Sequence, residues 1–162
     1  MNSSHYIEDD ENAHENEHSI EVQLPFVRHA LGDVKCVFIC MGDQSLEACE
    51  LLAESISKTA RLLRRRVAVL ASSDFDHYDP ADVAKKKDLP AIGALARLDT
   101  AGFNDLLSES GDTACGHGPI TVAALFAKAA GAKEGRLLKY ANSGDVTKDK
   151  RAVVAYASIV FR

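Results

Sequence analysis

Apolar residues recur along this chain in two rhythms. Ile20, Leu24, Val27 and Leu31 fall three or four apart and so line one face of a helix. Ser19 stands where such a helix would be capped, Pro25 predicts a kink or a split, and Gly32-Asp33 ends it. Residues 34–41 (Val-Lys-Cys-Val-Phe-Ile-Cys-Met) are almost continuously apolar between Gly32 and Gly42, which predicts a buried strand. Leu46, Cys49, Leu52, Ala53, Ile56, Ala60 and Leu63 return to the helical rhythm over residues 45–64, and residues 67–72 form a second short apolar run. Strand, helix and strand at this spacing predict a βαβ unit with parallel strands and a right-handed crossover.

Beyond residue 80 helical patterns dominate. Residues 82–87 predict a short helix, and 89–98 and 100–108 two more, parted by Asp99-Thr100. Gly111-Asp112-Thr113 reads as a turn. Residues 120–130 form an Ala-rich helix that is apolar nearly all round, a pattern that belongs at the centre of a fold. Pro119 suits its first position and Gly131 the residue past its end. Residues 137–141 and 152–161 predict strands, with a tight turn at 142–145. Residues 1–16 carry Glu8, Asp9, Asp10, Glu11 and Glu15 among few apolar side chains, which predicts an acidic, flexible lead-in to a domain spanning 17–162.

Composition narrows the function classes. Of 162 residues, 46% are hydrophobic and 27% charged, the balance of a globular domain with a real core. The net charge is −5 and the longest basic runs are the triplets at 64–66 and 85–87, which excludes nucleic acid as the main partner. No apolar run approaches the ~20 residues a membrane span needs. Residues 1–5 are not followed by the apolar segment of an export signal. Cys36, Cys40, Cys49 and Cys115 include no CxxC pair, and the first three lie in apolar patterns that predict small buried side chains. A reducing cytoplasm is the expected compartment.

Three places hold candidate chemistry. Residues 72–79 deliver Asp74, Asp76, His77, Tyr78 and Asp79 together, just past an apolar run, where α/β sheets present their ligand sites. There His77 could act as a general base or a ligand, with Asp74 fixing its tautomer. The same residues read equally as a turn capped by aspartates. Cys115 and His117 stand just before a helix, where unpaired N–H groups and glycines favour a reactive thiol or a ligand. The alternative is a buried cysteine beside a helix cap. His18 and Glu21 are three apart at a helix start and share a face, as surface pairs often do. His14 and His18, four apart, could share a metal or simply be solvated.

Three motifs taken together resemble a known family. Residues 17–26 (Glu-His-Ser-Ile-Glu-Val-Gln-Leu-Pro-Phe), 72–78 (Ser-Ser-Asp-Phe-Asp-His-Tyr) and 115–120 (Cys-Gly-His-Gly-Pro-Ile) are similar, in order, to the C-terminal motifs of the Memo family, called AmmeMemoRadiSam system protein B in prokaryotes. Residues 138–145 and 156–161 look like its closing strands. The resemblance implies the fold of class III extradiol ring-cleavage dioxygenases: α/β, with a mixed, mainly parallel sheet flanked by helices. It implies an iron or copper ion bound by two N-terminal histidines and one cysteine, here Cys115. A thiolate then stands where a two-His-one-carboxylate site has its carboxylate. His77 matches the pocket base, Asp74 its orienting neighbour and His18 a pocket histidine, with Glu17, Glu21, Ser73, Gly116 and His117 lining the pocket.

The family's Pro-His-Ala-Gly and Ser-His-His motifs, which supply two ligands and several strands, do not occur in these residues, and Ser3-Ser4-His5 does not match them. The expectation is therefore a C-terminal portion with N-terminal strands missing. Either the chain is a fragment, or a second polypeptide or self-association completes the sheet, or the site has been lost. A metal-dependent redox or dioxygenase-like enzyme acting on a small molecule is the leading reading. A non-catalytic metal-handling or protein-binding module is the alternative, followed by a cysteine-dependent hydrolase using Cys115, His77 and Asp74.

Overall fold

The computed structural model describes residues 6–162; His5 lies outside the described residues. The chain divides into two compact units, Met1–Gly42 and Asp43–Arg162.

The first unit contains a 3-10 turn at Asn12–His14, a second at Glu21–Gln23, and helix α1 over Leu24–Leu31. Pro25 divides the predicted helix as expected: it sits in the first turn of α1, where a missing N–H leaves no bond unmade. The predicted cap does not form at Ser19, because Ile20 precedes the second turn and makes no side-chain cap. Residues 34–41 are not in a strand.

In the second unit, α2 (Leu46–Leu62) starts at Ser45, whose Oγ accepts from the Ala48 N–H at 3.3 Å. It packs on α5 (His117–Ala129). Ile120 to Ala124 are buried without a break, so α5 is central, as its all-round apolar pattern requires. Gly131, at φ +105°, lies just past its end. Helix α3 (Ala81–Ala96) packs against α4 (Thr100–Ser110) and against both strands. It replaces the two helices predicted at 82–87 and 89–98. Pro90 lies inside it, on an exposed position, while Ala84, Asp88, Ala91, Ile92 and Leu95 keep one buried stripe running through. Asp99 caps α4 by accepting from Gly102 N–H at 3.0 Å. The largest fully buried side chain is Phe103 of α4, in a core with Phe75, Leu95, Leu98, Ile120 and Val153.

Strands β1 (Gly135–Asn142) and β2 (Ala155–Phe161) pair antiparallel, from Gly135 opposite Phe161 to Asn142 opposite Ala155, with an irregularity between Leu137 and Lys139. A short helix, α6 (Gly144–Thr147), occupies the predicted turn between them. The start of β2 also bonds to the loop bearing His77. Phe75 N–H donates to Ala155 O (2.9 Å), Ala155 N–H to Asp76 O (2.9 Å), Tyr78 N–H to Val153 O (2.7 Å) and Val153 N–H to Asp79 O (3.0 Å).

The fold is therefore mixed α/β, but the predicted parallel pair is corrected. Among the described residues the one ladder is antiparallel, and neither 34–41 nor 67–72 enters it. Both runs have the composition of interior strands, yet Val37 is 87% and Leu70 65% exposed. Apolar patterning marks a segment suited to a sheet; the backbone partner that makes it a strand must come from elsewhere in space. Cys36 is likewise exposed rather than buried.

Two glycines give opposite expectations. A Cβ on Gly135 would lie 2.5 Å from the Leu95 carbonyl oxygen, whereas one on Gly93 inside α3 would meet only Arg97 Nη1 at 3.8 Å. Gly135→Ala should lower stability by about 1–3 kcal/mol, and Gly93→Ala should raise it by about 0.5–1 kcal/mol. Denaturant midpoints at constant m-value measure both.

Candidate functional site

The second and third motifs meet at a backbone contact. Gly116 N–H donates to Ser73 Oγ at 2.8 Å, and Ser73 Oγ donates to the Asp74 carbonyl at 2.7 Å. A Cβ on Gly116 would stand 2.7 Å from Ser73 Cβ, so only glycine allows this approach. Gln44 fixes the other side of the loop. Its Nε2 donates to the Cys115 carbonyl (3.0 Å) and its Oε1 accepts from Gly118 N–H (2.8 Å), which satisfies one of the free donors at the start of α5. Cys115 lies between these two anchors and is exposed. Buried Cys49 approaches the Gly118 carbonyl at 3.5 Å, and burial pushes its thiol up to about 11.

His77 is held by Thr113. Its backbone N–H donates to Thr113 Oγ1 (2.7 Å), and its Nδ1 lies 3.1 Å from the Thr113 carbonyl. A carbonyl only accepts, so this contact places the ring proton on Nδ1 and leaves the lone pair on Nε2 in the neutral ring. Asp74 Oδ2 is 3.7 Å from Nε2, on the side of the ring away from Thr113. Tyr78, next to it, adopts a left-handed φ of +68°, a sparsely populated conformation for a large side chain, and its ring is tilted beside the His77 ring. Beneath the loop, fully buried Asp76 pairs with Lys87 (3.3 Å), which also binds Asp79 (2.6 Å) and the Gly111 carbonyl (3.0 Å). Burial raises the Asp76 carboxyl, whereas the Lys87 ammonium holds Asp79 below the usual carboxylate range.

His117 turns to α4. Its Nδ1 lies 3.0 Å from Asn104 Oδ1, and Asn104 in turn donates to Thr121 Oγ1 and the Thr100 carbonyl. With Leu107, Ser108, Asp112 and Ala114, these two residues line a cavity of about 170 Å³.

The second unit thus brings Ser73, Asp74, His77, Cys115 and Gly116 onto two abutting loops. Glu17, His18 and Glu21 lie in the first unit. There Glu17 accepts from the Ser19 N–H, which lowers its carboxyl, His18 O accepts from Val22 N–H (3.1 Å), and Glu21 opens the second 3-10 turn. His14 faces Cys40, with 3.2 Å between Nδ1 and Sγ. Thr113 and Gln44 were not singled out by motif. Both lie in polar turns whose partners are distant in sequence, and no local pattern marks them.

The implied metal can be tested against the donors. Among the described residues no group of three or more His, Cys, Asp or Glu side chains is placed to hold an ion. Cys115 would be one ligand of a set that these residues do not complete.

Gly116→Ala should cost about 1–3 kcal/mol by forcing the two loops apart. Adding Ser73→Gly removes the two nearest atoms a new Cβ meets and leaves the Ser72 carbonyl oxygen at 3.2 Å, so the double variant should be less destabilised than the sum of the singles. A denaturation cycle over the four proteins measures this.

Comparison with known proteins accords with this assembly of motifs. The family model described as Memo-like protein matches residues 1–160. A MEMO1 family protein of Methanopyrus kandleri is 45% identical over 157 residues, covering 96% of this chain and 56% of the relative. One from Pyrobaculum aerophilum is 43% identical over 161 residues, covering 98% and 57%, and one from Methanosarcina mazei 43% over 159 residues, covering 95% and 58%. The chain thus spans a little over half the length of these relatives. With the motif residues in place and residues 1–160 of the chain matching the family model, the chain belongs to the Memo family.

Proposed function

We propose that this chain contributes Cys115 as a thiolate ligand, and His77 as a proton-accepting group, to an iron- or copper-dependent site of a Memo-family protein that acts on a small molecule. The observation that carries this reading is the fixed apposition of the Cys115 loop and the Ser73–His77 loop through Gly116 and Ser73. It holds an exposed thiol and a histidine on neighbouring segments. The remaining ligands would come from outside the described residues, and an extradiol dioxygenase-like fold with a mainly parallel sheet would then be completed around the site. When bound, the metal would supply redox or Lewis-acid chemistry. The chain's own part is to present the sulfur, to keep Nε2 of His77 able to accept a proton, and to orient the ring with Asp74.

A second reading is favoured by one observation. Val37 is 87% exposed and Leu70 65%, in two runs composed like interior strands. Covering them with a protein partner or another copy of the chain would serve a metal-handling or protein-binding role without turnover.

Metal analysis separates these readings. After anaerobic loading with iron, and separately with copper, Cys115→Ala should bind metal more weakly than the wild type, roughly tenfold in affinity or more. Equal metal in both proteins removes Cys115 as a ligand. Retained metal without turnover of catechol-type substrates favours the non-catalytic reading.

A further inference from the structure

The least expected group in the second unit is Asp88. It is fully buried, on the stripe of α3 that otherwise carries Ala84, Ala91, Ile92 and Leu95. Its Oδ1 accepts from Asp76 N–H at 3.2 Å and its Oδ2 from the Tyr140 hydroxyl of β1. The Asp112 carboxyl, in the loop after α4, lies within its hydrogen-bonding reach. Among the described residues no cation pairs with Asp88: Lys87 is spent on Asp76 and Asp79. Asp112 Oδ1 accepts from Ala114 N–H at 2.9 Å, but its Oδ2 is buried and has no donor among the described residues.

Among the described residues the groups facing this place are therefore four carboxyls, Asp76, Asp79, Asp88 and Asp112, with one ammonium, Lys87, and one phenol, Tyr140. A second uncompensated carboxylate beside Asp112 would be strongly disfavoured by burial and by like charge. One proton on Asp88 removes the like charge facing Asp112 and supplies the donor that Asp112 Oδ2 lacks. We infer that Asp88 is protonated in the folded protein and donates to Asp112 Oδ2, forming a latch between α3 and the loop that presents Thr113 and Cys115. The latch rests on the packing of the second unit and is independent of any metal.

Burial and the Asp112 charge push the Asp88 carboxyl up to about 7, and burial with the neighbouring Asp88 raises the Tyr140 phenol well above its usual range. The folded state then holds a proton that the unfolded chain releases near pH ~4. Stability from this group is complete below the unfolded value and falls as pH rises from about 4 to about 7. Above that range Asp88 and Asp112 repel, and the loop that carries Thr113 and Cys115 keeps its tie to α3 through Lys87 and the Gly111 carbonyl but loses the one through Asp88.

Carbon-13 titration of the aspartate side-chain carboxyls in the full chain tests the latch. One resonance should titrate near pH about 7 and vanish in Asp88→Asn. Asp112→Asn should shift it downward by removing the adjacent charge. Asp88→Asn keeps a donor to Asp112, so its denaturant midpoint should vary less between pH about 5 and about 8 than that of the wild type. The inference is overturned if every wild-type aspartate titrates below about pH 5, or if Asp112→Asn leaves the raised titration in place. Should a variant fail to fold, the wild-type titration alone decides.

Discussion

The backbone pairing of residues 75–79 with the start of β2 is the constraint on which the candidate site depends. Four hydrogen bonds between Phe75, Asp76, Tyr78 and Asp79 on one side and Val153 and Ala155 on the other turn a polar loop into the outer neighbour of the sheet. Backbone groups placed this way cannot move without leaving buried donors and acceptors unpaired. Phe75 and Asp76 consequently point into the core, Asp74 and His77 stand at its edge, and Ser73 reaches Gly116. Moving any one of these side chains would require moving the ladder.

From that ladder the contacts spread in two directions. Outward, Ser73 and Thr113 tie the His77 loop to the segment before α5, so that two motifs about forty residues apart share one surface. Inward, Asp76 leads to Lys87 and Asp88 on α3 and so to Tyr140 on β1. An apolar core alone would pack these elements but would not set the register between them. The polar contacts fix which residue faces which.

Much of this was legible in the sequence, for identifiable reasons. The unbroken apolar run from Ile120 to Ala124 marks a helix buried on all sides, and α5 is that helix. The ordered motifs around His18, His77 and Cys115 identify the family. Reading α3 as two helices went astray because a charged residue and a proline, Asp88 and Pro90, fall close together. The proline lies on the exposed side and the aspartate is satisfied internally, so neither interrupts the helix. The runs at 34–41 and 67–72 have the composition of strands, but a strand also requires a partner, and composition carries no information about partners. Thr113 and Gln44 act through contacts 36 and 71–74 residues distant, which no local spacing reveals.

Amide hydrogen exchange on the intact chain tests the central claim most directly. If residues 75–79 form the outer neighbour of β2 and Ser73 binds Gly116, the N–H groups of Phe75, Tyr78, Ala155 and Gly116 should exchange as slowly as those in the buried stripe of α3. The opposite result would contradict the account. These amides would then exchange as fast as those of residues 34–39, whose backbone enters no ladder, while α3 stayed protected.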